Sequence, residues 1–144
     1  MREDLAAVCD FGEVTVETFD SSAHSVELVV ADIQDQQLAL GVARDVDIIV
    51  HLAANTGVAP SVENPRLDCM ANVIGTLNYL EAARENQVKR FVFASSGAPV
   101  GEVVPPIHEE MTPHPVSPYG ASKLAGEGYC SCLLYTSPSP RDRG

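Results

Sequence analysis

The chain has 144 residues, 45% of them hydrophobic and 10 of them proline, with a net charge of −11. That length allows one domain with a core, and the acidity argues against a nucleic-acid partner, which would require clustered Lys and Arg. No apolar run approaches the roughly 20 residues of a membrane span, and no secretory signal opens at Met1, so no membrane partner is expected.

The acids Glu3, Asp4, Asp10, Glu13, Glu17 and Asp20 crowd the first 25 residues and read as a solvated face. Val14-Thr15-Val16 could form a short strand, and Ser21-Ser22 a loop. Val26 to Ala31 is a β-branched apolar run ending at Asp32, and a helix capped by Asp35 should follow through Leu38, Leu40 and Val42. Asp47 to Ala54 is a second apolar run. Its unbroken hydrophobicity predicts a strand buried on both faces, as in a parallel sheet. Ala53 and Ala54 at its carboxyl end would let another molecule approach the backbone closely, or would simply pack beneath a helix.

After a loop rich in Gly, Pro and Asn, a long helix is predicted over about 66–85. Leu67, Met70, Val73, Ile74, Leu77 and Leu80 would form its apolar stripe. Asn72 lies beside that stripe and, if buried, must be either a satisfied structural amide or a ligand contact. Gly75 inside a helix costs about 1 kcal/mol relative to Ala and suggests close packing. Phe91 to Ala94 is a third strand pattern, ending in Ser95 and Ser96. Alternating strands and helices predict an α/β fold with an open parallel sheet, in which ligands bind beyond the carboxyl ends of the strands. Asp32, Ala53-Ala54 and Ser95-Ser96 all fall at such ends.

Residues 97–118 form a long Pro-rich loop, a length associated with function or disorder. It leads into Ser117-Pro-Tyr-Gly-Ala-Ser-Lys123, where Ser117 can cap a helix and Pro118 fits its first position. Tyr119 and Lys123, four residues apart, share one helix face. A lysine charge beside a phenol lowers the tyrosine pKa and makes a base able to take a proton from an alcohol. Tyr-x-x-x-Lys alone is common and could be an exposed pair on an ordinary helix. The four cysteines, Cys9, Cys69, Cys130 and Cys132, show no metal or disulfide spacing, which fits a reducing cytoplasm.

Taken in order, Ala31-Asp32-Ile33, His51-Leu52-Ala53-Ala54, Asn72-Val-Ile-Gly-Thr76, Ser95-Ser96 and Tyr119-Gly-Ala-Ser-Lys123 resemble the motifs of the extended short-chain dehydrogenase/reductases. The resemblance is to their nucleotide-sugar epimerase/dehydratase branch and covers about 26–131. It implies a Rossmann-type sheet that binds NAD through Asp32, Ile33, Leu52, Ala53, Ala54, Asn72, Tyr119 and Lys123. It further implies Tyr119 as the base that takes a proton from a sugar hydroxyl, and Lys123 as the holder of the nicotinamide ribose. Ser96 would hydrogen-bond the reacting oxygen of a nucleotide sugar, and a homodimer is the implied assembly. Dehydratases and decarboxylases of the branch carry an acid just after the strand-five hydroxyl, where this chain has Gly97 and Ala98. That difference favours an epimerase, of a UDP-hexose at C4, over a dehydratase or decarboxylase, and a reductase of the branch is another alternative. A non-catalytic remnant is a further alternative, against which the intact Ser96, Tyr119 and Lys123 speak. Val100-Gly101 departs from the branch's frequent Tyr-Gly.

The Gly-rich turn that would cradle the dinucleotide phosphates is missing from the sequence before Asp32. The expected fold is therefore a partial Rossmann-type domain over 1–131, without the first two strands and the C-terminal substrate domain. The strand at 26–31 should then be orphaned, or paired with a neighbour foreign to the complete fold. After Ser131 the helical pattern stops, and residues 132–144 resemble the translation of a sequencing-library transposon adapter, a non-native tail to which Cys132, Tyr135 and Arg141 belong.

Overall fold

A computed structural model describes residues 15–20 and 25–136, with side chains from Val26 to Leu133. Cys9, the acids at 3–13 and the Ser21-Ser22 loop lie outside the described residues. Strands β1 (Thr15–Asp20) and β2 (Ser25–Val30) pair antiparallel, Thr15 opposite Val30 and Asp20 opposite Ser25. Strands β3 (Ile48–His51) and β4 (Arg90–Phe93) form a separate parallel pair, from Ile48 opposite Arg90 to His51 opposite Phe93. The strand at 25–30 thus lies outside the parallel sheet, as the missing neighbours led us to expect.

Helix α1 (Gln36–Val42) begins where predicted, because Asp35 accepts a hydrogen bond from the Leu38 N–H at 3.0 Å. Helix α2 (Val58–Glu63) is short. Helix α3 (Pro65–Cys69), a widened π turn (Met70–Ile74) and helix α4 (Gly75–Glu85) then run on without a break as one rod. Asn64 caps the rod and Pro65 opens it, a residue whose missing N–H costs nothing there. Helix α5 (Pro118–Thr136) is capped by Ser117, whose Oγ accepts from Gly120 N–H at 3.1 Å.

The apolar core is small and made largely of alanine. Ala39 of α1 and Ala43, which caps that helix, meet Ala82 of α4, with Leu40, Ile49 and Tyr79 packed around them. Residues this small let the two helices approach closely, and two amides then clamp them. Asn78 Nδ2 donates to the carbonyls of Ile33 and Gln34, and Asn86 Nδ2 donates to that of Leu40. Gly75 is where the chain needs no side chain, since a Cβ there would stand 2.7 Å from Ile33 Cδ1.

Three expectations need correction. Strand β3 is covered on one face only: His51 is buried, while Ile48 and Val50 are 50% and 58% exposed and Val92 of β4 is 49% exposed. Unbroken hydrophobicity read as two-sided cover, but among the described residues the helices shield only the face carrying Ile49, His51, Phe91 and Phe93. On the rod, Leu67 and Met70 of the predicted stripe are exposed, whereas Asp68, Asn72 and Thr76 are each 1% exposed. The buried stripe is polar in this part of the rod and turns apolar at Leu80 and Ala82, Leu80 being a member of the predicted stripe. Helix α5, finally, continues past Ser131 to Thr136, because nothing in Cys132-Leu-Leu-Tyr-Thr136 breaks a helix.

Candidate active site

The parallel pair ends at Ala94, whose N–H donates to His51 O at 3.1 Å. Beyond it Ala53 is exposed and Ala54 half-buried after β3, while Ser95 and Ser96 are exposed after β4. Across this end lies the first turn of α5. Lys123 is 4% exposed; its Nζ donates to Ala94 O at 3.0 Å and stands 4.9 Å from the Phe93 ring centre and 5.9 Å from that of Tyr119. A buried ammonium held by one carbonyl and two aromatic faces is well oriented but poorly solvated. Burial accordingly pulls its pKa below the ordinary lysine value, and the Asp68 carboxylate opposes that shift.

Helix α5 reaches this place because glycine occupies its two contact points. A Cβ at Gly120 would stand 2.6 Å from the Ala98 carbonyl oxygen, and one at Gly126 2.6 Å from the Phe93 ring. Ser61, fully buried on α2, accepts from Tyr119 N–H at 3.1 Å and donates to Val58 O at 2.6 Å. The loop before the helix is ordered against its own start, His114 N–H donating to Pro99 O at 3.0 Å.

Asn72, in the π turn, ties the pieces together. Its Oδ1 accepts from Asn55 N–H at 2.7 Å, and its Nδ2 faces Asn55 O, Asp68 Oδ1 and Ser122 Oγ at 3.0, 2.9 and 3.1 Å. Ser122 in turn donates to Tyr119 O at 3.0 Å. Asn72 is therefore a satisfied amide joining the β3 loop, the rod and α5, and the added residue of a π turn is a common way to aim such a group. Thr76 Oγ donates to Asn72 O at 2.6 Å, which consumes its one O–H. His51 Nε2, 3.1 Å from that oxygen, must then carry the ring proton and donate it. Burial first, and the Lys123 charge second, hold the His51 pKa below 6.5.

Of the residues singled out from sequence, Tyr119 and Lys123 come together, and Lys123 is bonded to the strand end that leads into Ser96. Ser96 itself accepts from Ala98 N–H at 3.2 Å, and among the described residues no hydrogen bond joins it to Tyr119 or Lys123. Leu52 is 68% exposed beside Ala53. Asp32 folds over its own turn, accepting from Gln34 N–H at 2.9 Å, and Ile33 packs on Gly75. Ile33 thus reaches the rod, and β2, which leads to both residues, is not hydrogen-bonded to β3 or β4. Sequence reasoning missed Ser61, Asp68, Thr76 and Ser122. The signal was available for two of them, since Asp68, Asn72 and Thr76 recur every fourth residue on one helix face.

For a dinucleotide, the donor set fits one half. Tyr119 and Lys123 offer a hydroxyl and an ammonium to a ribose, Ala53 and Ala54 leave the backbone open, and Asn55 Nδ2 is a buried donor without a partner among the described residues. A pyrophosphate needs successive free N–H groups at a helix start. Asp35 occupies that position on α1, and no Gly-rich turn occurs among the described residues. A groove along β4, lined by Leu80, Phe91, Val92, Cys130 and Leu133, lies about 16 Å farther along α5 and plays no part here.

The sequence pattern of the NAD dependent epimerase/dehydratase family matches residues 10–133. The UDP-glucose 4-epimerase of Mycolicibacterium smegmatis is 43% identical over 106 residues, covering 72% of this chain and 34% of that protein. Two crystal structures superpose with a TM-score of 0.70, each over 74% of this chain and 36% of the other. They are the Thermus thermophilus UDP-glucose 4-epimerase in complex with NAD, 38% identical, and the Thermotoga maritima UDP-glucose 4-epimerase with UDP-glucose, 35% identical. The chain spans about a third of the length of the curated relatives it matches. With the matched span, the parallel sheet end and the Tyr–Lys helix in agreement, the chain belongs to the NAD dependent epimerase/dehydratase family.

Proposed function

We propose that this chain carries the catalytic half-site of a NAD-dependent nucleotide-sugar epimerase acting on a UDP-hexose at C4. The observation that supports it best is the convergence of Tyr119 and Lys123 on the strand end at Ala94, beside Ser95-Ser96. Tyr119 Oη takes the proton from the sugar hydroxyl and later returns it. Ser96 Oγ hydrogen-bonds the same oxygen and fixes its position. Lys123, with Tyr119, holds the nicotinamide ribose, while Leu52, Ala53 and Ala54 line the approach and Asp32 and Ile33 meet the adenosine. NAD, when bound, supplies a hydride acceptor that also gives the hydride back. Gly97 and Ala98 begin a tight turn and offer no side-chain acid, so nothing at these two positions would drive loss of water.

A dehydratase of the same family is the second reading. One observation favours it: the Ser95 hydroxyl is hydrogen-bonded to a carboxylate, Glu127, on α5. Product analysis separates the two. In a protein of the relatives' length bearing these residues, UDP-galactose should become UDP-glucose with no net NADH. Tyr119→Phe should slow that conversion at least about a hundredfold, the usual worth of a positioned base. Net loss of water from the sugar, read by mass, would move the assignment to the dehydratase. The 132–144 segment is proposed to be adapter-derived, and sequencing the genomic frame across codon 132 decides it.

A further inference from the structure

Two opposite charges are buried in the contact between α3 and α5, and each is short of partners. Asp68 is 1% exposed, and among the described residues its carboxylate has one hydrogen-bond donor, Asn72 Nδ2 at 2.9 Å. Lys123 is 4% exposed and spends one of three N–H groups, on Ala94 O. A carboxylate or an ammonium taken out of water costs several kcal/mol unless an opposite charge offsets it. We propose that Asp68 is the counter-charge that keeps Lys123 an ammonium in its buried seat, making it a positioning residue for the site. It acts through space, not as a direct ion pair, while the Asp68–Asn72–Ser122 hydrogen bonds, which end on Tyr119 O, hold α3 against α5.

The other charged or titratable groups around Lys123 do not serve this purpose. Burial favours the neutral form of His51 on β3, Tyr119 offers Lys123 its ring face, and Glu127, one turn along, is only half-buried and reaches solvent. Asp68 is the carboxylate whose field opposes the loss of the Lys123 charge. It also explains why a wholly buried acid is seated on a helix face that alanine could fill. The inference rests on the reading of Lys123 as a cofactor-holding residue only for its consequence, not for the pairing itself.

The test is unusually clean because the chain has two lysines, and the other, Lys89, sits at the surface paired with Asp47 at 2.7 Å. Carbon-13-labelled lysine gives two side-chain signals, Lys89 serving as the internal reference. In the 144-residue chain the Lys123 signal should report an ammonium at pH 7, and Asp68→Asn should move its titration midpoint to lower pH while leaving Lys89 unchanged. Asn keeps the acceptor for Asn72, so the hydrogen bonds survive. Ser122→Ala, which breaks the chain of hydrogen bonds but not the charge, should move the midpoint less. An unmoved midpoint in a folded Asp68→Asn protein overturns the proposal. If that variant does not fold, a neutral Lys123 at pH 7 in the parent chain overturns it instead. NADH binding by a protein of the relatives' length bearing these residues, followed by nicotinamide fluorescence, is scored separately and should be at least about tenfold weaker in Asp68→Asn. Failure of that longer protein to bind NADH, while the midpoint shift persists, would sink the reading of the site and leave the pairing standing.

Discussion

The interface between the rod and α5 and the sheet beside it are built on opposite logic. The interface buries Ser61, Asp68, Asn72, Thr76, Ser122 and Lys123, six groups that folding normally leaves in water. The outer face of β3 and β4 leaves Ile48, Val50 and Val92 about half exposed, and β2 exposes Val26 and Val30 at 60% and 58%. Alanine packing with two amide clamps thus holds the α1–α4 contact, while hydrogen bonds among buried polar side chains hold the part of the molecule that carries the site. Such bonds are directional. A network of them fixes a geometry that apolar packing would leave adjustable.

That contrast can be broken most forcefully at Asn72. Replacing it with Leu strands the Asn55 N–H and carbonyl and the Asp68 carboxylate together. Each unpaired buried group costs about 1–3 kcal/mol, so urea denaturation should show a loss of at least about 3 kcal/mol or no cooperative transition. A neutral result would mean that the network contributes orientation and not stability. Next in size is Gly120→Ala. Its Cβ would collide with the Ala98 carbonyl oxygen, and a backbone atom cannot step aside as a side chain can. Overpacking of this kind costs about 1–3 kcal/mol, and here it also lifts Tyr119 from the strand end. Binding of NADH should therefore fall more than thermal stability does.

The smallest effect concerns His51, at the seam between the two regions. Its pKa in the folded chain is depressed below 6.5, so the unfolded chain takes up the proton first. The stabilisation is complete above pH 6.5 and is lost as pH falls toward the depressed folded value. Chemical denaturation between pH 8 and pH 5 should show stability declining on the acid side. His51→Asn should flatten part of that decline, and an unchanged profile would mean that the ring titrates freely.

The fold was largely legible because its signals are local. Asp35, Ser117 and Pro118 announce helix starts in the sequence and act as such in the structure. Gly75 advertised a close contact, which Ile33 supplies. What misled was the inference from apolar runs to burial. Hydrophobicity shows what a strand would bury if covered, and cover is a property of the whole assembly, so Ile48 and Val50 read as core without being core. The site was half legible. Tyr119 and Lys123 share a face by simple periodicity, and their meeting follows. Asp68, Ser61 and Ser122 are residue types that normally sit at surfaces, and only the crossing of three helices turns them inward. The contact of Ile33 with Gly75 and Asn78 of the rod joins residues more than forty apart, and no single stretch of sequence encodes it.

Amide hydrogen exchange on the 144-residue chain compares the two regions in one experiment. The account predicts that the Asn55, Tyr119 and Gly120 amides, bonded to Asn72 Oδ1, Ser61 Oγ and Ser117 Oγ, exchange as slowly as the interior of α4. Those of the β1–β2 hairpin should exchange far faster. Hairpin amides as protected as α4, or free exchange at Asn55 and Tyr119, would contradict the claim that the buried hydrogen-bond network holds the site in place.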